Sequence, residues 1–196
     1  ISLGLVGSEM CIRDSLYAMW TTPPDVIWNN GSNSRNWNTS DANWSGSAWN
    51  NARWDGAIFG ATGAGVVTLT EAITARAIRF DAPGYVLNGS SLILAGAQTI
   101  TCNANASINS SLDCSGLNKA GSGTLTLGGS TTYLGNITVN EGRVALSNSL
   151  LDGCTTVSIA AGAGMDLNFI GSNAIAALSI KGSNLPAGTY LSLIHI

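Results

Sequence analysis

The sequence predicts an all-β fold, a parallel β-helix in which short strands wind into stacked coils. Three observations carry that prediction. Only 10% of the residues are charged, against about a quarter in an average domain, and 24 of the 196 residues are glycine, a profile of many tight turns. Short runs alternate apolar and polar residues with period two, which turns one face of a strand inward and the other out. These runs recur at a long-short spacing that repeats about every twenty residues, the mark of equivalent stacked units.

The two ends are expected to lie outside the natural protein. Read back into codons, Met10–Ser15 and Leu191–Ile196 can be written as reverse complements, and the string from Leu5 onward resembles the adapter DNA of transposon-type sequencing libraries. Residues 1–15 also lack the basic start of a signal peptide and are too few to span a bilayer. On this reading residues 1–15 and 191–196 are adapter-derived. His195, the sole histidine, and Cys11 then leave the functional inventory.

Residues 16–64 contain all six tryptophans, Trp20, Trp28, Trp37, Trp44, Trp49 and Trp54, set among Asn, Ser, Gly and Asp. Two readings fit this segment. Exposed indoles stack on sugar rings, which makes Trp37, Trp44 and Trp49 candidate glycan contacts. Alternatively the segment is a hydrophobic N-terminal cap, which a solenoid needs to protect its open end from strand addition. The cap is the preferred reading.

Residues 65–190 hold no tryptophan and carry the clearest strands. Val67, Ile78, Val86, Leu92, Ile100, Ile108, Leu117 and Leu125 follow one another at intervals of 6 to 11 residues, which suits coils of three strands each. From Leu125 the inward positions continue as Ile137, Val144, Val157, Met165 and Leu178, at steps of 12, 7, 13, 8 and 13. Thr124-Leu125-Thr126-Leu127 shows the alternation at its plainest. A β-sandwich also has short strands punctuated by turns, but hairpin meanders need no two-step period.

Residues that carry chemistry are sparse. The acids are scattered, and Glu141-Gly142 and Asp152-Gly153 stand where turns are expected. Cys102, Cys114 and Cys154 have no metal-binding spacing and read as small buried residues. Without His195 there is no histidine for a hydrolase triad, and Gly121-Ser122-Gly123 precedes a strand rather than the helix of a phosphate loop. Arg76 and Arg79 are read as solvent-facing. A net charge of −3 without a basic cluster argues against nucleic acid as a partner. No stretch reaches transmembrane length. No catalytic, cofactor-binding or metal-ligating residue is predicted, and no cofactor.

Within residues 117–146, Lys119-Ala-Gly121-Ser-Gly123-Thr-Leu125-Thr-Leu127 is followed by Thr132-Tyr133-Leu-Gly135, then by Ile137-Thr-Val139 and Gly142-Arg-Val144-Ala-Leu146. This text closely resembles the autotransporter-associated β-strand repeat, also called the passenger-associated transport repeat, with Thr131 where the family pattern has asparagine. The tryptophan-rich segment and Leu185–Tyr190 resemble the flanks of such repeats. The resemblance implies a right-handed β-helix in a secreted or surface-exposed bacterial protein, held to the outer membrane by sequence outside this segment. It implies structural roles for Lys119, Gly121, Gly123, Leu125, Leu127, Tyr133, Gly135, Ile137, Val139, Gly142, Val144 and Leu146, with the repeat assisting passenger folding or export. The expected partners are an extracellular glycan or a neighbouring cell surface, met by a monomeric segment of a larger chain. The competing reading is a carbohydrate-binding or polysaccharide-cleaving β-helix module.

Overall fold

Alternating β-branched and leucine-rich runs, each too short and one-sided to bury its apolar face alone, are driven to stack on their equivalents one coil away. The computed structural model describes residues 23–130, 135–151 and 155–185 and shows that outcome. It is a β-solenoid of about six turns, all strand and turn among the described residues.

Two parallel sheets run the length of the stack. The first is built from β1 (Asp25–Trp28), β3 (Gly56–Phe59), β5 (Ile73–Phe80), β7 (Leu92–Cys102), β10 (Gly116–Ala120), β12 (Asn136–Val139), β14 (Thr156–Ile159) and β16 (Ala177–Ile180). The second is built from β2 (Asn36–Trp37), β4 (Val66–Leu69), β6 (Tyr85–Gly89), β8 (Ala106–Ile108), β11 (Thr124–Leu127), β13 (Arg143–Leu146) and β15 (Gly164–Leu167). The three-strand coils expected upstream are visible in the pairing. Strands β5 and β7 each turn a corner, with a register shift between Ala75 and Ala77, and the short β9 (Leu112–Asp113) continues the third side by pairing with the start of β7.

In-register pairing stacks like on like. Ala57, Ile78, Ile100, Lys119, Val139, Ile159 and Ile180 form one interior column of the first sheet. Val67, Leu87, Ile108, Leu127, Leu146 and Leu167 form its counterpart in the second. Val86 departs from the sequence expectation. It faces outward, and Tyr85 and Leu87 point into the core. Tyr85-Val86-Leu87 is apolar throughout, so alternation cannot fix its face. Tyr85 belongs inside because its hydroxyl stands 2.7 Å from the carbonyls of both Gly60 and Thr62 and can donate to either.

The parallel ladder starts inside the tryptophan-rich segment: Asp25 pairs with Gly56 and Trp28 with Phe59. The composition change near residue 65 therefore marks a change of core packing. Later coils advance by about twenty residues, as in Leu117 to Ile137 to Val157, whereas the first must cover Asn36 to Thr68 before its strands meet again. The additional residues fold back on the coil. Asn43 pins them: its Oδ1 accepts from Ser32 N and Oγ, and its Nδ2 donates to Ser34 Oγ and Asn36 O. At the other end β17 (Ser183–Leu185) turns back antiparallel along β16 and covers that strand edge.

Candidate functional site

The sequence singles out two regions, the repeat at 117–146 and the tryptophans. Lys119 lies in the interior column between Ile100 and Val139, fully buried. Its parity with Leu117 along β10 forces it inward. The ammonium donates to the carbonyls of Ala120 at 2.9 Å, Gly121 at 2.6 Å and Glu141 at 3.1 Å. One cation thus gathers carbonyls from its own turn and from the turn of the next coil. Burial pushes its pKa down, and the nearby Cys102 and Glu141 oppose that shift.

The glycines of the repeat let these turns stack closely. Gly121 has φ +77 and Gly142 has φ +63, backbone that glycine adopts at little cost. A Cβ at Gly121 would stand 2.5 Å from the Cys102 carbonyl, and one at Gly142 would stand 2.4 Å from the Gly123 carbonyl. Leu125, Leu127, Ile137, Val139, Val144 and Leu146 are all buried in the core. Gly123 and Gly135 likewise press on backbone of the preceding coil. Tyr133 lies outside the described residues, as do Trp20, Cys154, His195 and Cys11.

The tryptophans separate sharply. Trp28, Trp37, Trp44 and Trp49 are buried together around Phe59, with ring centroids 4.7 Å apart for Trp37–Trp44 and 5.2 Å for Trp28–Trp44. Trp28 Nε1 donates to Gly63 O, and Trp49 Nε1 to Asn51 Oδ1 and Thr74 O. The candidate glycan contacts Trp37, Trp44 and Trp49 are corrected on this point. They are 0%, 0% and 2% exposed and offer no ring face to a sugar. Their indoles are more strongly stabilised filling the first coil, where each buries a large apolar surface. Sequence spacing could not separate these roles, since all six sit in the same polar background. Trp54 is the exception, half exposed at 50%.

Charged groups pair rather than cluster. Arg76 meets Asp25 at 2.6 Å, Arg53 meets Asp55 at 3.3 Å, and Arg79 meets Asp81 at 2.9 Å. Arg143 bridges one coil to the next through two bonds to Asp166, at 2.9 and 2.8 Å. Arg79 is solvent-facing as expected, whereas Arg76 is the more covered of the two. Cys102 and Cys114 are buried thiols outside any disulfide, and burial pushes the pKa of each up to about 11. No group of three or more His, Cys, Asp or Glu able to hold a metal ion occurs among the described residues. Among the described residues no helix is long and apolar enough to cross a membrane, which says nothing of a β-barrel.

With this geometry in view, the family model described as the passenger-associated-transport-repeat matches residues 117–146. The chain carries one passenger-associated transport repeat. That repeat is the stretch from β10 to β13, with Lys119 at its inward start. The chain is also 39% identical, over 181 residues, to the "Adhesin BmaC autotransporter" of Brucella suis biovar 1 (strain 1330). That similarity covers 86% of this chain and 5% of the relative, so the chain spans a small part of the relative's length. No solved structure matches. Repeat, relative and solenoid together support a passenger segment of a bacterial surface protein, secreted or at the cell surface.

Proposed function

We propose that this segment acts as a rigid, adhesive stretch of a surface-displayed passenger, without enzymatic activity, and that its transport repeat helps the passenger fold as it is exported. The observation that carries the reading is where the repeat's residues point. Lys119, Leu125, Leu127, Ile137, Val139, Val144 and Leu146 are turned into the core, so the repeat builds the stack and leaves the outside for contact. Asp25, Asp81 and Asp166 are held in ion pairs along the outside, an arrangement suited to solubility and contact more than to acid–base chemistry. In the same reading residues 38–54 close the N-terminal end of the stack, with Trp44 and Trp49 filling the first coil.

The test uses the register of the stack. Gly116 pairs with Asn136 and Leu117 with Ile137, so deleting residues 117–136 joins Gly116 to Ile137 and removes one complete coil in frame. Cells displaying the intact passenger are expected to attach to a glycan-bearing surface. The deletion should retain a folded, all-β spectrum but reach the cell surface at a lower level. Undiminished surface delivery of the deleted form would overturn the export role, and attachment unaffected by removal of residues 23–185 would overturn the adhesive one.

A further inference from the structure

The two sheets finish differently at the C-terminal end of the stack. On the first, β17 folds back over the edge of β16, with Ile180 opposite Ser183 and Leu178 opposite Leu185. On the second, β15 pairs with β13 alone among the described strands, so its other edge is open. An apolar pocket lies in the same last coil, and Met165, Leu167, Ile175 and Leu178 are among the residues that line it. Asn173 lines it too, is 6% exposed, and carries an Nδ2 donor with no partner among the described residues. Leu185, in the hairpin, is 37% exposed. An unpaired strand edge and an unmet buried donor are both unfavourable, and the molecule holds an exposed leucine within the same last strands.

The last three passages from the first sheet to the second each go through a left-handed glycine: Gly121 between β10 and β11, Gly142 between β12 and β13, Gly162 between β14 and β15. Gly182 stands at the matching place after β16, at φ 79. In the second sheet Leu125, Val144 and Met165 stack in one column, at steps of 19 and 21 residues. A further step of that size from Met165 falls within residues 184–186, where Leu185 is the aliphatic residue. We propose that the open edge of β15 is a docking surface for Ser183–Leu185, taken up as the first strand of a further coil, parallel to β15 and with Leu185 against Met165. The antiparallel β17 is the alternative placement of the same residues. Its two-residue turn requires a left-handed backbone at both positions, and Lys181 holds φ 52 beside Gly182. In the three earlier passages the glycine alone is left-handed, so docking on β15 relieves Lys181. The exchange gives up one strand pairing at β16 and gains one at β15, while Leu185 leaves solvent. Main-chain carbonyls of the added strand are acceptors of the kind Asn173 Nδ2 lacks. A later strand can then take the vacated edge of β16, in the alternating order the preceding coils already follow.

Two cysteine pairs report the two placements through the disulfide each can form. Ser179→Cys/Asn184→Cys joins residues that are partners in the hairpin. Met165→Cys/Leu185→Cys joins residues that meet when the strand lies on β15. Each pair is oxidised in the purified chain and in the full surface-displayed passenger, and the linked peptides are identified by mass spectrometry. The purified chain should yield both links, and the passenger chiefly the second. Lys181→Asn tolerates the left-handed turn, whereas the β-branched Lys181→Val does not. The ratio of the second link to the first should therefore be about tenfold higher with valine than with asparagine. Hydrogen exchange at Gly164–Leu167, compared between Lys181→Val and Lys181→Asn without added cysteines, should be slower for valine, and this readout stands even if a cysteine pair unfolds the end. Absence of the Met165–Leu185 link from both chain and passenger, or link ratios and exchange rates equal for the two Lys181 variants, would overturn the proposal. Neither readout involves attachment or export, so the adhesive reading can fail without this inference, and this inference without it.

Discussion

Lys119 puts a positive charge inside an otherwise aliphatic column, and three carbonyls make that tolerable. Hydrogen bonds to a charged group contribute about 1.5–3 kcal/mol. Lys119→Met keeps the length and removes the ammonium, leaving the Gly121 and Glu141 carbonyls without their donor. We expect a loss of about 2 kcal/mol by urea denaturation. The buried thiols give the pH dependence. Cys102 and Cys114 rise from 9.0 to about 11, and Tyr85 from 10.0 to about 12, all through burial. A pKa raised on folding stabilises below the unfolded value and is lost as pH climbs through the folded one. Stability should therefore fall from about pH 9 upward. Lys119, shifted down, works in the opposite direction. Denaturation of the Cys102→Ala/Cys114→Ala variant should show a shallower fall between pH 9 and 11 than the parent.

A strand in this molecule is held by its equivalents in adjoining coils. Leu127 sits in β11 between Ile108 of β8 and Leu146 of β13 and is 1% exposed. Leu127→Asp places a carboxylate where no donor faces it, an unpaired buried charge of the kind that costs more than about 4 kcal/mol. The expected result is loss of the cooperative melting transition, and an unchanged curve would refute the inward assignment. At this scale the alternation is readable wherever polar residues separate the apolar ones, as in Thr124–Leu127. Alternation does not resolve Tyr85–Leu87, where all three residues are apolar and the tyrosine's hydroxyl, able to donate to Gly60 or Thr62, decides the face.

Over the whole molecule, stability is a sum of coil terms and coil–coil interfaces, so unfolding can begin at an end. The first coil is filled with indoles, and Trp44 touches Trp28, Trp37, Trp49 and Phe59. Trp44→Ala should cost about 3–5 kcal/mol and act locally. Hydrogen exchange is expected to quicken in β1–β3 while β12–β16 keep their protection; uniform loss throughout would contradict the one-dimensional picture.

By itself the sequence determined the stacked parallel coils, their period and the inward apolar residues of the repeat, while the surface-passenger reading came from the resemblance of residues 117–146 to a known repeat. The coils and their inward residues depend on local alternation and turn residues repeated at fixed spacing, which are written along the chain. Only the tertiary structure decided which tryptophans are core and which is exposed. It also paired Asp25 with Arg76, fifty-one residues apart, and brought both over Gly56. Those outcomes depend on a long first coil folding back on itself and on which side chains meet one coil away. No local pattern encodes them, because the same tryptophan-in-polar spacing serves a buried indole and an exposed one.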